Sequence, residues 1–303
     1  MSDRPEIRWS TPADRDAILA FIVEMGFTPR DAITWDGLSM RAVCAWRGER
    51  LVGAVPIEPR PFKIIGGVTV PAAHLSCVAV RADERGGGVG SAMQELLAND
   101  PPKGAWLYTV FREEPDSPGY RFYLKSGFKA AMHIVSWTMK VEPQEAVAQE
   151  PAAWRPAICR TAWQKIRGYG GVVDQRERPL ESWIAVHPYR NRYTFDVIPL
   201  GERGYAVIGI GALHSDAARL DVLDLVAANA MDARALLDLC VAYARAREIV
   251  TVRVALAEAD PHARIAAGLG MTAGWNFDLL IRPIDPALSF DASGWRYATI
   301  DFA

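Results

Sequence analysis

The sequence predicts an α/β chain of two tandem domains, each a mixed β-sheet flanked by helices. Its 303 residues are about twice the length expected of one domain. Strand-like and helix-like patterns alternate through the first half, and the same order returns, weaker, in the second. Between them "VEPQEAVAQEPAAWRP" carries prolines and small polar residues and interrupts the rhythm. These observations divide the chain into a domain at residues 1–143, a linker at 144–157 and a second domain at 158–303.

The first half reads β-α-α-β-β-β-α-β-α-β. "EIRWS" is a short strand, and "TPADRDAILAFIVEMG" a helix that Thr11 can cap, with Pro12 in its first turn and Ile18, Phe21 and Ile22 on one face. "RAVCAWRGERLVGAVPI" patterns as a hairpin around Gly48. "VTVPAAHLSCVAV" reads as one extended run, whose alternation would put His74, Ser76, Val78 and Val80 on one face. An amphipathic helix, "GVGSAMQELLAND", precedes the strand "GAWLYTVF". A short helix, "PGYRFYLKSG", stopped by Gly127, leads into the strand "AMHIVSWTMKV". In the second half "GYAVIGIGAL", "RLDVLDLVAA", "IVTVRVALA" and "WNFDLLIRP" are strands, with helices at "MDARALLDLCVAYARAR" and "DPHARIAAGLG".

Composition narrows the function classes. Half of the residues are hydrophobic and 23% charged, as in a chain that buries real cores. A net charge near −2 gives nucleic acid no basic face to displace its counterions. The runs "RGER" at Arg47 and "RERP" at Arg176 read as solvated turns. No N-terminal apolar segment or bilayer-length run is present, so a cytoplasmic protein without membrane partners is expected. Cys44, Cys77, Cys159 and Cys240 are scattered and the histidines lack metal-binding spacing, so neither a metal nor a disulfide framework is expected.

The segment "SCVAVRADERGGGVGSAMQELL" changes character abruptly, with three consecutive glycines and a fourth at Gly90 between a strand and a helix. A helix's first N–H groups lack internal partners and carry the positive end of the macrodipole, while missing Cβ atoms let phosphates approach the main chain. The same glycines also suit a plain flexible turn. A P-loop would need Lys-Ser or Lys-Thr after Gly90, and a dinucleotide fingerprint would need a further glycine at Ala92 or Met93; neither is present.

Arg85-Gly86-Gly87-Gly88-Val89-Gly90 resembles, without gaps, the R/Q-x-x-G-x-G/A signature of the GNAT acetyltransferase superfamily. "FYLKSGFKAA" is similar to that family's tyrosine-bearing helix with its following "GF". The resemblance covers residues 5 to 141, and the intact-then-degenerate tandem layout resembles the enhanced-intracellular-survival type without its third domain. It implies a splayed sheet in each domain, acetyl-CoA as co-substrate and transfer of the acetyl group to a primary amine, by direct attack in a ternary complex. The acceptor is expected to be a small molecule. A non-catalytic acyl-CoA sensor and O-acetyl transfer remain open alternatives, as does a homo-oligomer.

By the same resemblance, the pyrophosphate would lie on the N–H groups of Gly86, Gly87, Gly88, Val89, Gly90 and Ser91 with Arg85 nearby. Val78, Ala79 and Val80 would meet the pantetheine through their main chain. Tyr123 occupies the family's acid position, with Tyr120 as the fallback donor; its bland reading is a packed aromatic. His74 stands where some relatives carry a carboxylate base, and reads equally as a polar strand-end residue. His133 reads as a half-buried strand histidine. Phe27, Trp35 and Phe111 are candidate pocket walls or core, and the tail "GWRYATIDFA" reads as a docking strand whose terminal carboxylate could reach the cleft. Asp221 and Asp224 read as salt-bridged surface residues able to attract a cationic acceptor.

Overall fold

In a computed structural model, the structure describes residues 4–27, 41–63, 69–113, 117–142, 170–172, 193–211, 218–285, 288 and 295–296. The expected linker, the second expected helix with Trp35, Cys159, Arg176 and most of the C-terminal run lie outside these residues. The chain divides into two compact units. The first gathers Met1–Pro61, Val70–Ala131 and Leu279–Ser289; the second gathers Phe62–Thr69, Met132–Asp278 and Phe290–Ala303.

The first unit opens with β1 (Glu6–Trp9), a 3-10 turn over Pro12–Asp14 and α1 (Arg15–Glu24). Thr11 and Asp14 form a capping box: the Thr11 N–H donates to Asp14 Oδ2 at 2.7 Å. Arg8 donates to both oxygens of the same carboxylate, at 2.8 and 2.9 Å. These bonds, Arg8 foremost, hold the Asp14 carboxyl well below the usual carboxylate range of about 3.9. A lowered folded pKa adds stability above the unfolded value that is lost as pH falls. The melting-temperature gap between wild type and Asp14→Asn is therefore expected to be full at neutral pH and to shrink below about pH 4. A gap undiminished between pH 4 and pH 2 would mean that the carboxylate's charge is not what holds this turn.

β2 (Arg41–Arg47) and β3 (Arg50–Lys63) form the expected antiparallel hairpin, turning at Gly48 with φ +60°. β4 (Thr69–Leu75), β5 (Ala79–Val80), α2 (Val89–Asn99), β6 (Leu107–Glu113) and α3 (Pro118–Lys125) follow. The sheet order is β1-β2-β3-β4-β6, with β4 and β6 parallel. Two apolar layers cover its faces. Ile18, Phe21 and Ile22 of α1 pack with Ala42, Cys44 and Ala54, while Met93 and Leu97 of α2 and Tyr123 of α3 pack with Val43, Val55, Leu75 and Tyr108.

The single extended run expected over Val68 to Val80 is instead two strands. The Ser76 N–H donates to Pro56 O, whereas Ala79 pairs with Ala54, a register that requires one extra residue between them. Cys77, at φ +47°, absorbs the kink of this β-bulge. The bulge reverses the alternation. Val78 and Val80 pack on the α2–α3 side, like Leu75, and Ala79 on the α1 side. His74 and Ser76 therefore do not share a face with Val78 and Val80, as unbroken alternation would require.

β7 (Lys129–Lys140) begins in the first unit and runs mainly in the second, which continues with β8 (Gly170–Val172), β9 (Tyr193–Pro199), β10 (Gly204–Gly211) and β11 (Arg219–Ala227). Helix α4 (Ala230–Ala246), β12 (Thr251–Ala257), α5 (Pro261–Gly268), β13 (Thr272–Pro283) and β14 (Trp295–Arg296) complete it. Within this unit the order is β7-β12-β11-β10-β9, with only the β11–β12 pair parallel among the paired neighbours. The last five residues of β13, Leu279 to Pro283, belong to the first unit, where β13 lies beside β6. Each sheet thus borrows a strand from the other half of the sequence. Leu280 is fully buried in the first unit's core.

Asp221 and Asp224 are not surface residues. Both are buried; Asp221 accepts from Arg219, Arg253 and the Tyr193 hydroxyl, and Asp224 from the Tyr205 hydroxyl. Their charge is engaged inside the second unit and offers nothing to a cationic acceptor.

Candidate functional site

The β4–β6 ladder stops early. Its rungs are Ala72–Leu107, Ala73–Tyr108 and His74–Thr109, although β6 continues to Glu113. Beyond His74 the bulge carries β5 toward β3, so the two parallel strands part and leave a wedge between them. Ser76, Val78 and Val80 border one side of it, and Phe111 and Arg112 continue the other. Among the described residues the buried Ser76 hydroxyl and Arg112 Nε have no hydrogen-bond partner, polar atoms that a ligand could satisfy.

Backbone directions at β5 follow from one bond. The Arg81 N–H donates to Val52 O at 2.9 Å, which makes Val80–Gly53 a non-hydrogen-bonded pair. The N–H and C=O of Val80 then point away from β3, and Arg85 Nε donates to that carbonyl at 3.0 Å. The main-chain groups of Ala79 face β3.

The glycine turn is built for left-handed backbone. Gly86 and Gly88 have φ +81° and +82°, where a Cβ is strained. Gly90 does a different job: a Cβ there would lie 3.3 Å from the Phe122 ring, so its absence lets α3 approach α2. Gly88 caps α2 with no side-chain hydrogen bond and no acidic residue in the first turn. The Ala92 N–H, donating to Gly88 O, closes the first turn of the helix, leaving the amides of Val89, Gly90 and Ser91 for a ligand. Expected ligand residues Gly86, Gly87, Gly88 and Ser91 are exposed, as is Arg85, while the Val89 side chain is buried in the core.

Charged residues that the sequence presents as solvated turns anchor this loop. Arg47 donates twice to Glu84, at 2.8 and 2.7 Å, and Arg50 pairs with Asp83 at 2.9 Å. Arg81 bonds Leu51 O at 2.8 Å, pairs with both oxygens of Glu24 and lies over the Phe21 ring. Exposed pairs stabilise little singly. Together they tie the segment before the glycines to the hairpin and to α1.

Ser117 caps α3 by accepting from the Tyr120 N–H, and Pro118 opens the helix. At its end Gly127 turns with φ +85°, and Arg282, from the far end of the sequence, donates to Ser126 O while lying over Tyr108 and Phe128. Burial lowers the Arg282 pKa. Tyr123 is thereby held 5.2 Å from the Phe128 ring, edge to face. Burial pushes its phenol well above the ordinary value, opposed by the positive charge of Arg112. Among the described residues the Tyr123 hydroxyl has no hydrogen-bond partner. Tyr120 is buried as well.

His74 is buried at the last rung. Its Nδ1 lies 2.9 Å from Thr109 Oγ1, and its ring 5.4 Å from Phe111. By the bulge it sits on the face opposite Val80 and Tyr123, so any joint role works through the wedge. Phe27 is exposed, and His133 belongs to the second unit, bonded to Asp278 at 2.6 Å. The Cys77 thiol, pushed up to about 12 by burial and then by Glu58, stays protonated at neutral pH. Among the described residues no group of three or more His, Cys, Asp or Glu could hold a metal, and no helix is long and apolar enough to cross a membrane.

The second unit repeats the scaffold. Its parallel ladder also stops, at Val222–Val254. Asp260 caps α5 before Pro261, Gly270 turns with φ +81°, and Met271 N–H donates to Ala266 O as Phe128 N–H does to Tyr123 O. In this register Ala266 stands for Tyr123. The start of α4 differs from that of α2: Asn229 and Asp232 cap each other, and the Asp232 carboxylate lies at the first turn with Arg203.

The sequence profile described as an acetyltransferase (GNAT) domain matches residues 23–131. Among solved structures, the chain is similar to a GCN5-related N-acetyltransferase from Anabaena variabilis, with TM-score 0.65, 17% identity and coverage of 92% of this chain and 73% of that one. It is also similar to Eis1 from Mycobacterium abscessus, with TM-score 0.60, 17% identity and coverage of 93% and 74%. A tandem GNAT protein from the clavulanic acid biosynthesis pathway gives TM-score 0.56, 16% identity and coverage of 93% and 100%. No curated protein matches the sequence. At these identities the structures show a shared fold, and the profile adds a family match over one segment: residues 23–131 match the GNAT acetyltransferase domain.

Proposed function

We propose that the first unit moves an acetyl group from acetyl-CoA to a primary amine of a small molecule, and that the second is a repeat which has lost this activity. The observation that carries the reading is the contrast between the two helix starts. At α2 the amides of Val89, Gly90 and Ser91 stand open behind left-handed glycines, whereas at α4 the Asn229 side chain already accepts from the Asp232 N–H and the Asp232 carboxylate sits in the first turn. A carboxylate there would repel a diphosphate. The loss of the tyrosine at Ala266 points the same way.

In this reading the diphosphate rests on the α2 amides beside Arg85, and the pantetheine runs along the outward main chain of Val78 and Val80. The amine attacks the thioester carbonyl carbon, the carbon–sulfur bond breaks, and the electron pair passes to sulfur. Tyr123 gives sulfur its proton. His74, steadied by Thr109, takes the proton lost by the amine, whose free pKa of about 10.4 makes removal necessary. The protonated Cys77 disfavours a route through an acetylated thiol, which supports direct transfer.

Calorimetric titration with acetyl-CoA tests the reading. Gly88→Ala, strained by about 1–2 kcal/mol in left-handed backbone, is expected to weaken acetyl-CoA binding by at least 10-fold. Gly104→Ala, at φ +80° in a turn outside the site, carries similar strain and is the control: stability falls, affinity holds. Equal loss in both, or no binding by wild type, refutes the donor site. Masses of an amine panel after incubation with acetyl-CoA then identify the acceptor.

A further inference from the structure

Arg112 has no place in the roles above. It lies on β6 three residues past the last rung, with its Nε buried and unpartnered. Among the described residues its guanidinium has neither an ion-pair nor a hydrogen-bond partner. The fold makes room for it: a Cβ on Gly119 would lie 2.8 Å from Arg112 Cζ and 2.9 Å from Nε, so only glycine in the first turn of α3 lets the guanidinium lie there. No counter-charge for this half-buried cation stands among the described residues, and such a charge is disfavoured unless a negative group comes to it. Its charge reaches Tyr123, where it opposes the effect of burial.

The second unit acts as an internal comparison. Counting from the last rungs, His74–Thr109 and Val222–Val254, Arg112 corresponds to Ala257. Counting along the short helices, Gly119 corresponds to His262 and Tyr123 to Ala266. The half without the tyrosine also lacks the arginine and the glycine that seats it. Arginine, glycine and tyrosine thus behave as one set.

We propose that Arg112 is the fixed counter-charge for the sulfur anion released from the donor. The inference rests on the acetyl-CoA reading and deepens it. As the carbon–sulfur bond breaks, negative charge gathers on sulfur before the Tyr123 proton arrives. A guanidinium already in place stabilises that charge more than the neutral thioester. The same field favours the tyrosinate left behind when the proton has moved.

The test needs no acceptor and no turnover. Dissociation constants for CoA and for desulfo-CoA, which lacks the sulfur, are measured from pH 7 to 9.5 by calorimetry. A free thiol ionises near 8.5, and an adjacent cation lowers such a pKa by about one to three units. Wild type is therefore expected to favour CoA over desulfo-CoA by about 10-fold or more at the alkaline end, with the preference growing as pH rises. Arg112→Gln should abolish that growth while leaving desulfo-CoA affinity within about twofold, and Arg112→Lys should keep part of it. An unchanged pH-dependent preference in Arg112→Gln overturns the proposal, as does its absence from wild type, which requires no variant to fold. Failure of wild type to bind desulfo-CoA would instead strike the donor reading itself.

Discussion

Replacing Tyr123 with phenylalanine is expected to lower kcat by about 10²- to 10⁴-fold, the usual contribution of a positioned acid, with CoA affinity unchanged. Phenylalanine keeps the ring that packs edge to face on Phe128 and removes the hydroxyl alone. The two quantities should therefore separate, because the proposed donor site holds the carrier at α2 and β5. Steady-state rates with calorimetry on the same preparation check this. An unchanged kcat would return Tyr123 to the status of a packed aromatic and leave Tyr120 as the donor to test.

The second large effect concerns Leu280. It is fully buried among Tyr108, Tyr123 and Phe128, so Leu280→Ala is expected to cost about 2–5 kcal/mol. Chemical denaturation should report the loss as a lower midpoint with an unchanged slope. Cutting the chain after residue 143 should be worse. It removes the strand beside β6, Leu280 and the Arg282 bond that ends α3. A fragment of residues 1–143 is expected to lack the near-ultraviolet circular dichroism of packed aromatics. A cooperative, fully packed fragment would show that the borrowed strand is dispensable.

Where the sequence is legible, local chemistry explains why. Pro12 and Thr11 mark a helix start, Gly127 a helix stop, and the Arg85 to Gly90 run a left-handed turn into α2, because each rests on neighbours in sequence. Three features escape such reading. The bulge at Cys77 depends on the ladder opposite, and alternation alone assigns His74 and Val80 to one face when they lie on two. The pairs Arg47–Glu84 and Arg81–Glu24 join residues far apart in sequence, so each member looks like a solvated charge. Arg282 and Leu280 sit in an apolar strand of the second half, and nothing local announces that they serve the first unit. Arg112 had one usable signal, a glycine at position 119 inside a helix, where glycine weakens the helix unless something needs the space.

The exchange of final strands sets an order on biosynthesis. At about 5–20 residues/s, the roughly 150 residues between Ala131 and Arg282 take on the order of 10 s to translate. Throughout that interval the emerging first unit has β6 as an open edge and a pocket waiting for Leu280. Nascent chains with such edges are prone to join one another, so this protein's yield should depend on what shields that edge on the ribosome.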